Sequence, residues 1–203
     1  EVSLADIEEE QAYSNLHFGY FTHYNAGTIK NSTLKSINNY IWDTYIDAAI
    51  TNMGGIAGIN TGTIQDITLT GYSSTRGFGI YLGNGTASSI TNIGVIAGTS
   101  SGTIKNITGT NANINIYTGS GAYTVSYVGG LVGNMTGGTI SNSTLTYAGV
   151  KIGTSDVTCT ATGGIVGYMT AGTITGVTFS SGSMTVTAAA SAPKYVGGIV
   201  GLM

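Results

Sequence analysis

Along most of this chain, hydrophobic and polar residues alternate with a period of two. Val157-Thr-Cys-Thr-Ala-Thr162 and Met184-Thr-Val-Thr187 put apolar residues on one side and hydroxyl residues on the other. That is the pattern of a half-buried strand. β-Branched residues dominate, with 32 Thr and 23 Ile, and they suit a pleated surface. Gly punctuates the ends of these runs, where tight corners need backbone freedom. The pattern predicts an all-β chain of short strands. The one Pro, Pro193, sits in a loop-like run over residues 188–194.

The alternation is itself repeated. Gly-Thr-Ile begins at Gly27, Gly62, Gly102, Gly138 and Gly172, with spacings of 35, 40, 36 and 34 residues. With each Thr as position zero, position one is always Ile: Ile29, Ile64, Ile104, Ile140 and Ile174. Position three reads Asn31, Asp66, Asn106, Asn142 and Gly176, and position five is always Thr. A second string precedes each Gly-Thr-Ile. It reads Gly-Ile-Ala-Gly from Gly55, Gly-Leu-Val-Gly from Gly130, and Gly-Ile-Val-Gly from Gly164 and Gly198. The unit at Val95 keeps the last Gly of that string, and the unit at Gly19 keeps the first.

A fixed period of this length marks a solenoid, propeller or array. Propeller blades run longer and carry aromatic signatures, whereas these units hold a single Trp among them. The expectation is a parallel β-solenoid (β-helix) of about five and a half repeats of 34–40 residues. A short cap-like segment over residues 1–18 would precede a repeat domain over residues 19–203. Identical residues at identical repeat positions would then stack in columns. Ile29, Ile64, Ile104, Ile140 and Ile174 form a predicted core seam, and Asn31, Asp66, Asn106 and Asn142 a side-chain amide ladder. The period leaves open whether each repeat makes one coil or two.

The Gly-Leu/Ile-Val/Ala-Gly strings, with Gly-Thr-Ile close behind, resemble the GLUG motif of bacterial and archaeal surface proteins. That motif occurs in adhesin-like proteins and in non-catalytic regions of immunoglobulin-A-cleaving metallopeptidases. The resemblance covers about residues 19–203 and implies an extracellular, non-catalytic repeat module. It implies no particular ligand.

Composition narrows the function further. Charged residues make up 7% of the chain, against about 25% in ordinary globular proteins. The six Lys and Arg are scattered, so no nucleic-acid footprint exists. No apolar run is long enough to span a membrane. The first residue is Glu1, which fits a processed chain or a fragment, with no visible signal peptide. Cys159 is the only cysteine, on the same strand face as Val157 and Ala161, and reads as a small buried hydrophobe.

The ends differ from the middle. Glu1, Asp6, Glu8, Glu9 and Glu10 give residues 1–10 a net charge of −5, and residues 11–203 carry +2. Ser3 is placed to N-cap a short helix, though a strand covering the first coil fits as well. That segment acts either as a cap or as a donor that docks on another copy. At the far end, Val196-Gly-Gly-Ile-Val-Gly-Leu-Met203 is apolar and lies mid-repeat. Solenoids usually close with atypical, polar repeats. Ile199, Val200, Leu202 and Met203 are therefore a candidate self-assembly edge, completed by a second copy or by further repeats of a longer chain.

Few residues could carry chemistry. His17 and His23 have no adjacent carboxylate, and no His-Glu-x-x-His is present. Polysaccharide hydrolysis needs two placed carboxylates. Beyond residue 10 the acids are Asp43, Asp47, Asp66 and Asp156, and Asp66 occupies the Asn column. No catalytic residue, metal site or cofactor is expected, and an enzyme is not the reading. Sequons occur at Asn31, Asn84, Asn106, Asn134 and Asn142. Three of them follow from the repeat itself, so Asn84 and Asn134 are the better glycosylation candidates. Thr-x-Thr pairs at Thr68, Thr108 and Thr144 resemble those of ice-binding solenoids, and the thirteen Tyr suit a glycan- or protein-binding face. The expected function is a non-enzymatic extracellular structural module: a subunit or segment of a surface fibre, sheath or adhesin stalk. The partners expected are other copies or neighbouring repeats. A glycan- or host-protein-binding adhesive module is the main alternative, and an ice-binding solenoid a further one.

Overall fold

The computed structural model describes residues 2–3, 16–19, 21–35, 49–71, 78–82, 89–118, 123–146, 149–152, 157–186 and 195–203. Every regular element among them is a β-strand, and all pairings are parallel. The strands stack into four sheets that wind about one axis. Sheet I holds Val2–Ser3, Thr28–Lys35, Thr63–Thr70, Thr103–Thr110, Thr139–Thr146 and Thr173–Ser180. Sheet II holds Leu16–Gly19, Ala49–Gly54, Ser89–Gly94, Tyr123–Gly129, Val157–Gly163 and Tyr195–Gly197. Sheet III holds Thr22–Asn25, Ala57–Asn60, Ala97–Ser100, Val132–Met135, Val166–Met169 and Val200–Leu202. Sheet IV holds Phe78–Leu82, Asn113–Thr118, Gly149–Ile152 and Ser183–Val186.

The chain visits the sheets in the order II, III, I, IV, and then starts the next turn. One sequence repeat is one turn, so equivalent residues are direct neighbours: Ile104 pairs with Ile64 on one side and Ile140 on the other. Among the described residues, the complete four-stranded turns number four, over residues 49–82, 89–118, 123–152 and 157–186. This is slightly fewer than the five and a half repeats counted from the motifs. The first unit contributes three described strands, and the last reaches only sheets II and III.

The core lies inside the four sheets. In the second unit Ile64, Ile67 and Leu69 all point inward and are buried. Strict alternation would send Ile64 and Ile67 to opposite faces. Asp66 between them has φ of 56°, in the left-handed region, and this kink turns the strand so that both reach the core. Asn31, Asn106, Asn142 and Gly176 have the same positive φ at the same repeat position. Asn, Asp and Gly are the residues that tolerate this conformation most readily. The column thus marks a bend. Its side chains face outward, with Asn31, Asn106 and Asn142 exposed.

Sheets II and III meet at the second repeated string. There the backbones pack against one another with little between them. A Cβ at Gly98 would lie 2.5 Å from the backbone nitrogen of Met53 in the preceding turn. This contact explains the final Gly of Gly-Ile/Leu-Val/Ala-Gly, since any side chain would drive the two sheets apart. The next-to-middle residues Ile56, Ile96, Leu131 and Ile165 fill the core at that corner and are fully buried.

Candidate functional site at the open end of the solenoid

Because each repeat position forms a column, the column's last member shows what covers the stack. In the Ile seam, Ile64, Ile104 and Ile140 are buried, while Ile29 and Ile174 at the two ends are only partly so. The next inward column of sheet I runs Leu34, Leu69, Gly109, Leu145 and Phe179. Leu34 is fully buried despite its place in the first unit. Strand Val2–Ser3 pairs with it from outside, Val2 opposite Leu34 and Ser3 opposite Lys35. Phe179, at the other end, stays half-buried. No described strand pairs with the outer edge of Thr173–Ser180.

The last partial turn is the most exposed apolar surface described. Ile199 is 42% exposed, where its column mates Ile56, Ile96, Leu131 and Ile165 are at 0%. Val196 is 54% exposed, against 0% for Met53, Ile93 and Val128. Met203 is 88% exposed. Val200 and Leu202 are half-buried, paired with Val166 and Tyr168 beneath them. Between this partial turn and the edge of sheet I lies a groove of about 390 Å3, lined by Met169, Ile174, Val177, Ile199, Val200 and Met203 among others. The four edge residues expected from sequence all border this end. Val196, Phe179 and Met169 join them and were not singled out. For Phe179 the signal was in the repeat alignment, since it ends the column of Leu34, Leu69 and Leu145; the columns of Val196 and Met169 mix apolar with polar residues and gave less of one.

Two buried polar ladders run along the axis, and neither is the expected one. In sheet III, Asn25 Nδ2 donates to Asn60 Oδ1 at 2.7 Å, and Asn60 Nδ2 donates to Ser100 Oγ at 3.1 Å. That column then turns apolar, with Met135 and Met169 in register beyond Ser100. In sheet II, Asn92 Nδ2 donates to Asn52 Oδ1 at 2.8 Å, and Asn52 Nδ2 lies 3.0 Å from His17 Nδ1. Thr99 Oγ1 also donates to Asn52 Oδ1. With its oxygen accepting twice, Asn52 presents its amide nitrogen to His17, so Nδ1 of His17 is the acceptor. The pairing satisfies both amide atoms of Asn52 and Asn60, groups that are costly to leave alone, whereas Asn92 Oδ1 is buried without a hydrogen-bond partner.

The expected amide ladder is an outward rung. Asn106 Nδ2 donates to Asp66 Oδ1 and Gln65 Nε2 to Asp66 Oδ2, both at 2.8 Å. These bonds, the one from Asn106 foremost, hold the Asp66 carboxyl below its usual value of 3.8. The sequon asparagines Asn31, Asn106 and Asn142 are exposed. Asn134 is half-buried between Thr99 and Tyr168, with its Oδ1 enclosed. Asn84, Asp43, Asp47, Asp156 and Pro193 lie outside the described residues, as does most of segment 1–18. Cys159 is buried, which pushes its thiol up from the ordinary value despite hydrogen bonds to Thr162 and the Ala161 carbonyl. Among the described residues, no three His, Cys, Asp or Glu side chains gather to hold a metal. No helix there is long and apolar enough to cross a membrane.

The outer surface carries two further patterns. Thr68, Thr108, Thr144 and Thr178 form an exposed column on sheet I. On the side of sheets II and III, Tyr24 and Tyr195 are 51% and 44% exposed. The Tyr127 and Tyr168 rings lie with centroids 4.8 Å apart at 31° on that same side.

The family model of the GLUG motif matches residues 124–146. The matched stretch runs from sheet II, through the Gly130–Gly133 corner, to the end of the sheet I strand Thr139–Thr146, and so covers three of the four strands of one turn. The chain carries the GLUG motif, and the turns above and below repeat it in register, consistent with a GLUG-repeat family. No curated protein and no solved structure matches the chain.

Proposed function

We propose that this chain is a non-enzymatic extracellular structural module, a subunit or segment of a surface fibre, sheath or adhesin stalk that lengthens by stacking solenoid turns. One observation carries this reading. Columns fully buried in the middle turns continue, in register, to an uncovered apolar end at Val196, Ile199 and Met203. A sheet edge of this kind is a template for another parallel strand. The side-chain columns supply the register, and the backbone supplies the hydrogen bonds. Electron microscopy of the purified chain tests it. Regular fibres support the reading, and monodisperse short rods at every concentration count against self-assembly.

A second reading, an adhesive module for glycans or a host protein, is favoured by the tyrosines on the side of sheets II and III. Exposed Tyr24 and Tyr195 and the Tyr127–Tyr168 pair offer flat apolar rings with hydroxyl tips. Glycan-array binding by monomeric protein, lost on substituting Tyr24 and Tyr195 with Ala, distinguishes this reading from the first.

A further inference from the structure

We propose that the Asn52–Asn92 ladder is a two-position switch, set in one direction while the His17 ring carries one proton and turned over when the ring takes a second. The switch lies within sheets II and III and works under either reading of the function.

The structure shows one setting. Asn52 Oδ1 accepts from Asn92 Nδ2 at 2.8 Å and from Thr99 Oγ1. Asn52 Nδ2 therefore faces His17 Nδ1, 3.0 Å away, and an amide nitrogen offers only donors. Nδ1 holds a lone pair in this contact, so the single proton of the neutral ring is on Nε2. A doubly protonated ring has an N–H on each nitrogen. Its Nδ1–H would meet the Asn52 N–H, donor against donor.

Turning both amides over by a half rotation about Cβ–Cγ removes that conflict. His17 Nδ1–H then donates to Asn52 Oδ1, and Asn52 Nδ2 donates to Asn92 Oδ1. In the present setting Asn92 is 5% exposed and its Oδ1 has no hydrogen-bond partner. The reversal thus supplies a donor to a buried acceptor that lacks one. The Asn92 amide nitrogen moves to the far side and needs an acceptor there, which Asn134 provides. Asn134 follows Thr99 in its column, and Asn92 follows Asn52 in its own. Asn134 therefore stands to Asn92 as Thr99 stands to Asn52, and Thr99 and Asn52 are hydrogen-bonded. Asn134 Oδ1 is likewise buried without a partner. One reversal pairs both oxygens. It carries the protonation state of His17 about 14 Å along the axis, through three turns of about 4.8 Å. Its far end reaches the tyrosine side, where Tyr127 follows Asn92 and Tyr168 follows Asn134.

The strands packed against Leu16–Gly19 are Thr22–Asn25, Ala49–Gly54, Ala57–Asn60 and Ala97–Ser100. Among these described residues the other titratable side chains are His23 and Tyr24, both exposed, and no Asp, Glu, Lys or Arg is present. An imidazole changes charge within roughly pH 5–8, where amides and hydroxyls do not titrate. His23 changes charge in the same range and supplies the control.

The test is nuclear magnetic resonance of the 15N-labelled full chain, following the ring nitrogens of His17 and the side-chain amides of Asn52, Asn92 and Asn134 as the pH is lowered. At mildly alkaline pH the ring proton is expected on Nε2. On acidification all three amides should shift with one midpoint, that of His17, while the backbone amides of Leu16–Gly19 keep their exchange protection within about twofold. The shared shift should vanish in His17→Asn, or in His17→Gln should the first variant not fold, and persist in His23→Gln. A ring proton on Nδ1 at alkaline pH, a shift confined to Asn52, or a shared shift that survives loss of His17 overturns the switch. So does a tenfold or greater loss of protection at Leu16–Gly19 on acidification, since protonation would then release the strand instead of turning the ladder.

Discussion

Asn106 separates the two roles that its column could play. Its φ of 56° lies in the left-handed region, and its side chain donates one 2.8 Å hydrogen bond to Asp66. Asn106→Gly keeps the backbone conformation and loses the bond. Asn106→Val loses both. A solvent-exposed hydrogen bond of this kind contributes little, because water replaces it when it is lost. Forcing a residue with a Cβ into the left-handed region costs about 1–2 kcal/mol, and a β-branched residue sits at the upper end or beyond. The Val variant should therefore be less stable than the Gly variant by about 1–2 kcal/mol. For a chain of this length that difference corresponds to about 2–8 °C in Tm. The fifth unit supplies a natural control, because Gly176 occupies the same position at φ of 59°. A Cβ there would also come within 2.9 Å of Asn142 Oδ1, so Gly176→Ala should cost at least as much as the backbone strain alone. Thermal and urea unfolding, followed by far-UV circular dichroism, would rank the variants. If Asn106→Gly proved as damaging as Asn106→Val, the column would be held by its side chains, and the bend account would be wrong.

Three further outcomes follow from the same geometry. Ile104→Ala should cost about 2–5 kcal/mol, because Ile104 is enclosed between Ile64 and Ile140, and Ile174→Ala at the open end about half of that or less; equal shifts in urea midpoint would refute the coverage argument. Asn52→Ala removes the acceptor shared by Asn92 and Thr99 and the donor to His17, leaving Asn92 with its 3.2 Å bond to Thr99, so it should cost about 1–3 kcal/mol in urea unfolding, and a neutral result would deny the ladder a structural role. The Asp66 carboxyl is held below its ordinary 3.8 by Asn106 and Gln65, so its contribution is present above that value and is lost as pH falls through the lower folded-state pKa. Asp66→Asn should flatten the acid side of the urea-midpoint profile slightly, and an unchanged profile would deny the linkage.

The architecture was legible because the repeat does the work twice. Alternation gave strands, and the fixed return of Gly-Thr-Ile stacked them, so the Ile column could be read before any coordinates. Three things were hidden. Position three appeared as an amide ladder because Asn, Asp and Asn recur there, yet Gly176 in the same column was the telling residue. Only a requirement for positive φ unites Asn, Asp and Gly. The buried ladders at Asn52–Asn92 and Asn25–Asn60–Ser100 escaped notice because an amide in a strand ordinarily reads as an outward residue. Their burial depends on sheets II and III closing on each other at the glycine corner, a tertiary event that no local pattern encodes. The open end was read from its missing polar cap, but its shape was not. The offset of sheet I against sheets II and III depends on where Val2–Ser3 pairs, thirty-odd residues away in sequence.

The parallel register also fixes what kind of assembly a stacking reading allows. A two-fold contact between two open ends would run the strands of one copy antiparallel to those of the other and set sheet I against its own uncovered edge. Every pairing within the chain is parallel and in register, so such a contact would match neither the backbone pattern nor the side-chain columns. A head-to-tail contact preserves both, and because its two surfaces differ it propagates in one direction without closing, unless the rotation per copy happens to complete a ring. The interior of the stack has the same polarity. Polar columns at Asn25, Asn60 and Ser100 give way to Met135 and Met169 toward the open end. The joint would still be the weakest interface in the fibre. Within a copy, each sheet I strand of eight residues from Thr63 onward meets another of equal length in the turn before it, and the chain itself joins one turn to the next, whereas a joint between copies has no covalent connection. Stability in a solenoid is close to a sum of nearest-neighbour interfaces. A fibre built in this way should therefore come apart into folded copies at a lower urea concentration than the one that unwinds the turns.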